Sequence, residues 1–331
     1  MRLSQVWQQL RQVMVGSAAE AQRKTLGKPG YPSGFPRSER GGNREVFDPA
    51  LQHFGHGFRL SDPVFANDSD AERWRTARRD VVRHLLGVVS RLPQSEHLVL
   101  RGSLLLTAWL GDAAREPGDI DWVIQPATIG VGDDFAPTLL REIVRVAVAK
   151  PLESEAWLLP MQIATDAIWL YDRAPGSRLV FPWQVAGLPV GTVQMDFVFN
   201  ETLRTAPAPV VLPPPWSDGT PVLAASRAES LAWKMLWLLT DRYTQDKDLY
   251  DAVLLAEKTP LPWRLFSDTL IGSGEYSEKY PVPRSIEHLG GDNIAWDEFQ
   301  TECPGVTGTV QEWVDRLAVA LAPTFAEADN E

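Results

Sequence analysis

Between Asp70 and Leu92 the apolar residues Trp74, Ala77, Val81, Leu85 and Val88 recur every three or four positions, which is the spacing of one helix face. Pro93 closes that segment. A short apolar run, Leu98–Arg101, then breaks at Gly102-Ser103, and Leu104–Leu110 continues at helical spacing. A strand is therefore expected to turn directly into a helix. After a loop with Gly111, Pro117 and Gly118 comes a second expected strand at Asp119–Ile124. A helix over Pro137–Ala149 follows, with Leu139, Leu140, Ile143, Val144, Val146 and Ala147 as its apolar set. β-prone runs come next at about 158–171, 178–186 and 191–199, the middle one introduced by Pro175-Gly176 as a turn. Strand, helix, strand, helix and several strands describe an α+β fold, a mixed β-sheet core with flanking helices.

The Pro-rich stretch Pro207–Pro221 separates this core from a helical C-terminal part. Ser226 is the expected N-cap of its first helix, with Glu229 completing a capping box. That helix carries Leu231, Ala232, Met235 and Leu238 around Lys234, a cation that either reaches the surface along its own stem or faces an anion. In Lys247-Asp248-Leu249-Tyr250-Asp251 the helical spacing i, i+4 joins Lys247 to Asp251 and sets Asp248 on the same side, as a salt-bridged helix start would. A final helix is expected around Thr309–Leu321. At the other end, residues 1–23 read as a helix, and 24–45 as a Gly/Pro/basic segment without periodicity. The expected division is residues 1–45 as N-terminal helix and basic arm, 46–206 as the sheet core and 207–331 as a helical C-terminal domain.

Composition narrows the class. Of 331 residues, 44% are hydrophobic and 23% charged, as in an ordinary globular protein. No apolar run approaches the roughly eighteen residues of a membrane helix, and MRLSQVWQQLRQVM lacks a signal peptide's apolar core, so a cytoplasmic location is expected. One cysteine, Cys303, rules out an internal disulfide and a cysteine-rich metal site. The net charge of −11 argues against a surface coated in basic residues for nucleic acid. Two local basic sets stand out: Lys24, Lys28, Arg37, Arg40 and Arg44 in the arm, and Arg75, Arg79 and Arg83 at i, i+4, i+8 opposite the apolar face of their helix. The second set is either an RNA contact or a solvated helix face.

The residues that carry chemistry lie in Leu98–Val123. A backbone that turns at Gly102-Ser103 into a helix N-terminus approaches a phosphate closely and offers it free N–H groups and the positive end of the helix dipole. Asp119 and Asp121, two apart on a strand, project from one face and repel each other unless a cation lies between them. Magnesium, shared with substrate phosphates, is the natural partner. Asp196 lies in the apolar run Val193–Phe199, where a carboxylate is costly unless it is paired, hydrogen-bonded or metal-bound.

Gly-Ser opening a helix, with Asp119-Ile120-Asp121 opening the next strand, resembles the signature of the nucleotidyltransferase superfamily, which usually has a third carboxylate on a later strand, here Asp196. With Leu98–Ser103, Val193–Asp196, Lys234 and Lys247–Asp251 added, the chain resembles the AbiEii/AbiGii toxin family of nucleotidyltransferases over about residues 98–256. The resemblance implies that Asp119, Asp121 and Asp196 are catalytic and bind the metal. It implies too that Gly102, Ser103, Lys234 and Asp248 bind the nucleotide. It further implies transfer of a nucleoside monophosphate from an NTP to an acceptor hydroxyl, with the tRNA 3′ end as acceptor and an antitoxin as partner. The chain departs from the family pattern at Gln245, where an Arg is frequent, and at Asn200-Glu201, where a Gly-Asp is frequent. Transfer to a small molecule or a protein hydroxyl, and a non-catalytic nucleotide-binding module on the same fold, are the alternatives. Retention of all three carboxylates favours the enzyme.

Overall fold

The computed structural model describes residues 39–40, 43–47, 58–60, 62–170, 174–241, 245–286, 289 and 296–329. The helix expected over 1–23 and most of the basic arm, with Lys24, Lys28 and Arg37, lie outside the described residues. The chain divides into two compact units: Met1–Leu100, Pro117–Thr202 and Pro209–Leu223 form one, and Arg101–Glu116, Leu203–Ala208 and Ala224–Glu331 the other.

In the first unit, β1 (Glu39–Arg40), β2 (Asn43–Phe47) and β3 (Phe58–Leu60) form a small antiparallel sheet. Helix α1 spans Asp68–Val89 and is capped by Asn67, whose side chain accepts from the Asp70 N–H at 2.8 Å. Its periodic residues Trp74, Ala77, Val81, Leu85 and Val88 are all buried, as their spacing requires. The main sheet has eight strands: β4 (Leu98–Arg101), β5 (Ile120–Ile124), β6 (Trp157–Leu158), β7 (Ala164–Leu170), β8 (Ala174–Gln184), β9 (Gly191–Val198), β10 (Ala208–Val210) and β11 (Val222–Ala224). Their order is β10-β11-β4-β5-β9-β8-β6, with β7 also paired to β8. The sheet is mixed, since β5 runs parallel to β9 while β8 runs antiparallel to it. Helix α2 (Ser103–Leu110) follows β4 in the chain, and α3 (Phe135–Ala149) follows β5 and packs on α1.

One expected turn is part of a strand. Pro175-Gly176 lies inside β8, where Gly176 stands opposite Ile168 of β7 and Val198 of β9. A Cβ at this position would come within 2.9 Å of both the Ile168 side chain and the Phe197 carbonyl. Close strand packing, rather than a bend, is thus what the glycine provides.

The second unit is helical: α2 with α4 (Arg227–Thr240), α5 (Asp246–Ala256), α6 (Trp263–Gly272), α7 (Trp296–Glu302) and α8 (Val310–Ala328). Helix α5 packs against α2, α4 and α8. Tyr250, Trp296, Phe299 and Trp313 interlock with ring centroids 5.0–5.5 Å apart. Ser226 caps α4 as its sequence indicates, accepting from the Glu229 N–H at 3.0 Å. The Glu229 carboxylate, however, accepts from the backbone N–H groups of Arg204 and Thr205, so this buried acid ties down a preceding loop. The full capping box occurs at α8 instead, between Thr309 and Glu312.

In the first unit Trp74 and Trp183 pack with centroids 4.9 Å apart, and Gly191 stands directly across the sheet from Trp183. A Cβ on Gly191 would run into both indoles. Gly191→Ala is expected to destabilise the protein by about 1–3 kcal/mol through overpacking. Calorimetric melting checks this, and an unshifted transition would show that the indoles have room to yield.

Candidate functional site

Three of the sequence-derived acids meet in the first unit. Asp119 lies immediately ahead of β5, Asp121 is the second residue of that strand, and Asp196 sits in β9. The parallel register sets Asp121 directly beside Asp196. One carboxylate oxygen from each of the three residues falls within 4.8 Å of the others. Asp196 is buried, while Asp119 and Asp121 are half-buried. Crowding three carboxylates in this way is unfavourable without a countercharge, and three hard oxygen donors form a set that a divalent metal ion can occupy.

Part of the countercharge is supplied by a residue that sequence reasoning missed. Arg178 of β8 stands opposite Asp196 in the antiparallel register. Its Nε and Nη2 donate to Asp196 Oδ1 and Oδ2, each at 2.7 Å, and both side chains are almost fully buried. Asp121, Asp196 and Arg178 thereby form one row across β5, β9 and β8. No local pattern marks Arg178, because the pairing depends on sheet register.

The Gly-Ser turn lies in the second unit. Gly102 has φ 79° and ψ −160°, a left-handed backbone in which a side chain would be strained, and Ser103 begins α2 at once. The Ser103 hydroxyl is buried and has no hydrogen-bond partner among the described residues. A buried hydroxyl at a helix N-terminus suits an oxyanion that would engage both the hydroxyl and the first N–H groups. Immediately before it, the buried Arg101 guanidinium lies 5.2 and 5.5 Å from the ring centroids of Trp233 and Trp237.

Lys234 and Asp248 also come together in the second unit. The Lys234 ammonium donates to Asp248 at 2.6 Å and to Asp251 at 2.8 Å, with Trp237 at 5.0 Å from its nitrogen. Of the two options open to this lysine, the structure therefore selects the anion, and the anion is internal. Asp251 takes a second cation, Arg115, through two hydrogen bonds of 3.1 and 2.9 Å. Arg115 and Lys234, rather than Lys247 at helical spacing, are the partners that fix Asp251. Burial pushes the Lys234 ammonium towards its neutral form, but Asp248 and Asp251 outweigh it and hold the pKa above the usual lysine value. Burial likewise raises Asp251, and Arg115 with Lys234 more than reverses this, leaving its carboxyl below the usual range. The four side chains form an alternating chain, Asp248, Lys234, Asp251 and Arg115, whose formal charges balance. Arg115, like Arg178, gives no sign in the linear sequence.

The basic stripe on α1 is interleaved with acids of its own helix. Arg75 and Arg79 both bind Glu72, and Arg83 binds Asp80 and the Pro215 carbonyl. These are partly exposed pairs of the kind that solvated helices carry.

A folded-state pKa held below its unfolded value contributes stability that is present above the unfolded pKa and lost as pH falls through the folded one. Asp251→Asn is accordingly expected to cost about 3–5 kcal/mol at pH 7, where it leaves Arg115 and Lys234 partly unpaired in a buried site. The difference from the unsubstituted chain should shrink as pH falls below the ordinary carboxylate pKa of 3.8. Urea unfolding at pH 7 and pH 3 tests this, and a pH-independent difference would contradict the assigned ion pairs.

No helix among the described residues is long and apolar enough to cross a membrane. The family model described as nucleotidyl transferase AbiEii toxin, type IV TA system, matches residues 83–327. No curated protein sequence matches the chain. Among solved structures it is similar to MenT4, a nucleotidyltransferase toxin from Mycobacterium tuberculosis H37Rv, at 17% identity and a TM-score of 0.48 over 78% of this chain and 86% of that one. The assignment rests on the sequence match, which spans more than half of the chain and contains Gly102-Ser103, all three clustered acids, Lys234 and Asp248. The chain belongs to the AbiEii nucleotidyl transferase toxin family of type IV toxin–antitoxin systems and is a nucleotidyltransferase.

Proposed function

We propose that this nucleotidyltransferase moves a nucleoside monophosphate from an NTP to the 3′ end of tRNA, with magnesium as its metal. The observation that carries the reading is the triad of Asp119, Asp121 and Asp196, whose oxygens lie within 4.8 Å of one another. Asp119, Asp121 and Asp196 would hold the ion, which when bound supplies charge neutralisation at the triphosphate. The Gly102-Ser103 turn takes a phosphate on its backbone N–H groups and the Ser103 hydroxyl. Lys234 stays charged, but Asp248 and Asp251 offset that charge, so Lys234 and Asp248 are assigned to the nucleotide on the family resemblance alone. The acceptor oxygen attacks the α-phosphorus in line, the bond from that phosphorus to the β-phosphate oxygen breaks, and pyrophosphate leaves. The hydroxyl proton passes to the triad. The chain's contribution is positioning and electrostatics.

Membership of the toxin family supports an acceptor that a toxin meets in the cytoplasm and a cognate antitoxin as partner, and tRNA is the acceptor this reading assigns. Arg75, Arg79 and Arg83 carry little of this reading, because Glu72 and Asp80 offset most of their charge. Incubation with magnesium, total tRNA and each α-labelled NTP in turn tests the proposal. Label is expected on tRNA with the unsubstituted chain, and Asp121→Ala is expected to transfer at least about 10²-fold more slowly while melting no lower than the unsubstituted chain. Label appearing on protein or a small molecule would replace the acceptor. Undiminished transfer by Asp121→Ala would remove the triad from the mechanism.

A further inference from the structure

The row across the central strands has a member that the reaction above does not use. Arg178 is 3% exposed and occupies both oxygens of Asp196, while Asp196 in turn stands beside Asp121 in register. On the far side of Arg178, the next register position belongs to Asp166 of β7. Directly opposed residues on neighbouring strands share a face of the sheet, so the row places acid, acid, cation and acid side by side. A buried ion pair of this kind brings little net stability compared with an apolar pair of the same size. Its placement beside two further acids is the feature that calls for a role.

The fork geometry indicates what that role is. A guanidinium bound through two nitrogens fixes the plane of a carboxylate as well as its position, which a single ammonium does not do. It also places a permanent positive charge next to the group of oxygens assigned to the metal. The three clustered acids and Arg178 carry a net formal charge of −2, and Asp166 beyond Arg178 makes the row more negative still, so the group continues to attract a cation.

We propose that Arg178 is a positioning residue for the metal-binding triad. It locks Asp196 in a fixed orientation beside Asp121 and lowers the affinity of the three acids for a divalent ion, trading tight metal binding for a defined geometry. This rests on the reading of Asp119, Asp121 and Asp196 as the metal site. Without Arg178 the plane of the third carboxylate is no longer fixed and the local charge becomes one unit more negative, so the ion is held more tightly and less productively. A merely structural Arg178 would change stability and leave ion affinity alone.

The test uses the full-length protein and Mn²⁺ as the probe, with binding read by the loss of free-ion electron paramagnetic resonance signal and transfer measured separately. Arg178→Gln is expected to bind Mn²⁺ at least about tenfold more tightly than the unsubstituted chain, in line with removal of a nearby positive charge. The double variant Arg178→Gln with Asp196→Asn restores the formal charge of −2 and keeps a neutral polar pair. Its Mn²⁺ affinity should fall at least about tenfold below that of Arg178→Gln, since the added negative charge and one carboxylate ligand are both gone, while transfer stays low. Arg178→Lys keeps the charge and loses the fork. It should bind Mn²⁺ almost normally but show about a tenfold lower kcat with an unchanged KM for NTP, and it carries the test if Arg178→Gln does not fold.

Unchanged Mn²⁺ affinity in Arg178→Gln, or undiminished kcat in Arg178→Lys, would overturn the role of Arg178 while leaving the metal site in place. Failure of the unsubstituted chain to bind Mn²⁺ would overturn the metal reading itself, and the positioning role with it.

Discussion

Repulsion between carboxylates is the constraint around which the central sheet is organised. Parallel pairing of β5 with β9 brings Asp121 and Asp196 side by side, and Asp119 adds a third charge at the head of β5. With Asp196 buried and the other two acids half-buried, such an arrangement would be disfavoured by itself. The sheet accommodates it by pairing β9 on its other side with β8, which delivers Arg178 to Asp196. Strand order is thus coupled to electrostatics: β9 has an acid on one side and a cation on the other, and exchanging its neighbours would move both.

The second unit solves a similar problem with the opposite balance. Asp248 and Asp251 on α5 face Lys234 on α4, and Arg115 adds a second cation on Asp251. Two acids and two bases in alternation sum to zero, whereas the triad with Arg178 sums to −2. A balanced network fixes its members and keeps the Lys234 ammonium charged. A cluster with net negative charge suits a divalent ion. The same residue types, Asp with Lys or Arg, therefore serve different ends according to their ratio. The Gly102-Ser103 turn adds a third kind of feature, a helix N-terminus and a buried hydroxyl without a partner among the described residues, which suit an oxyanion.

Much of this was legible in the linear sequence. The strand, turn and helix around Gly102, the second strand with Asp121 in it, the apolar face of α1 and the Ser226 cap all follow from spacings of two to four residues, because hydrogen bonds within a turn or helix join near neighbours. The clustering of chemical residue types was legible for the same reason: Asp119 and Asp121 share a face whatever the sheet does. Asp196 announced itself as an acid in an apolar run, although its partner did not. Helices α6 and α7 have no counterpart among the expected elements, because helices of seven to ten residues leave weak periodicity.

The tertiary structure alone decided which charges meet. Arg178 and Asp196 are 18 residues apart, and Arg115 and Asp251 are 136 apart. Their contacts depend on sheet register and on the packing of α2 and the loop after it against α5, neither of which has a local signature. The reading of Lys247 with Asp251 failed for that reason, since helical spacing permits a pair but packing supplied two stronger partners. Pro175-Gly176 failed similarly, as a turn dipeptide absorbed into β8 because two neighbouring strands needed to approach closely. Local periodicity by itself determined the elements and the acids that they carry, because it is written within a few residues. The pairing of those acids with Arg178, Lys234 and Arg115 was decided only when strands and helices from distant parts of the chain came into register, because an ion pair acts through space and takes no account of sequence separation.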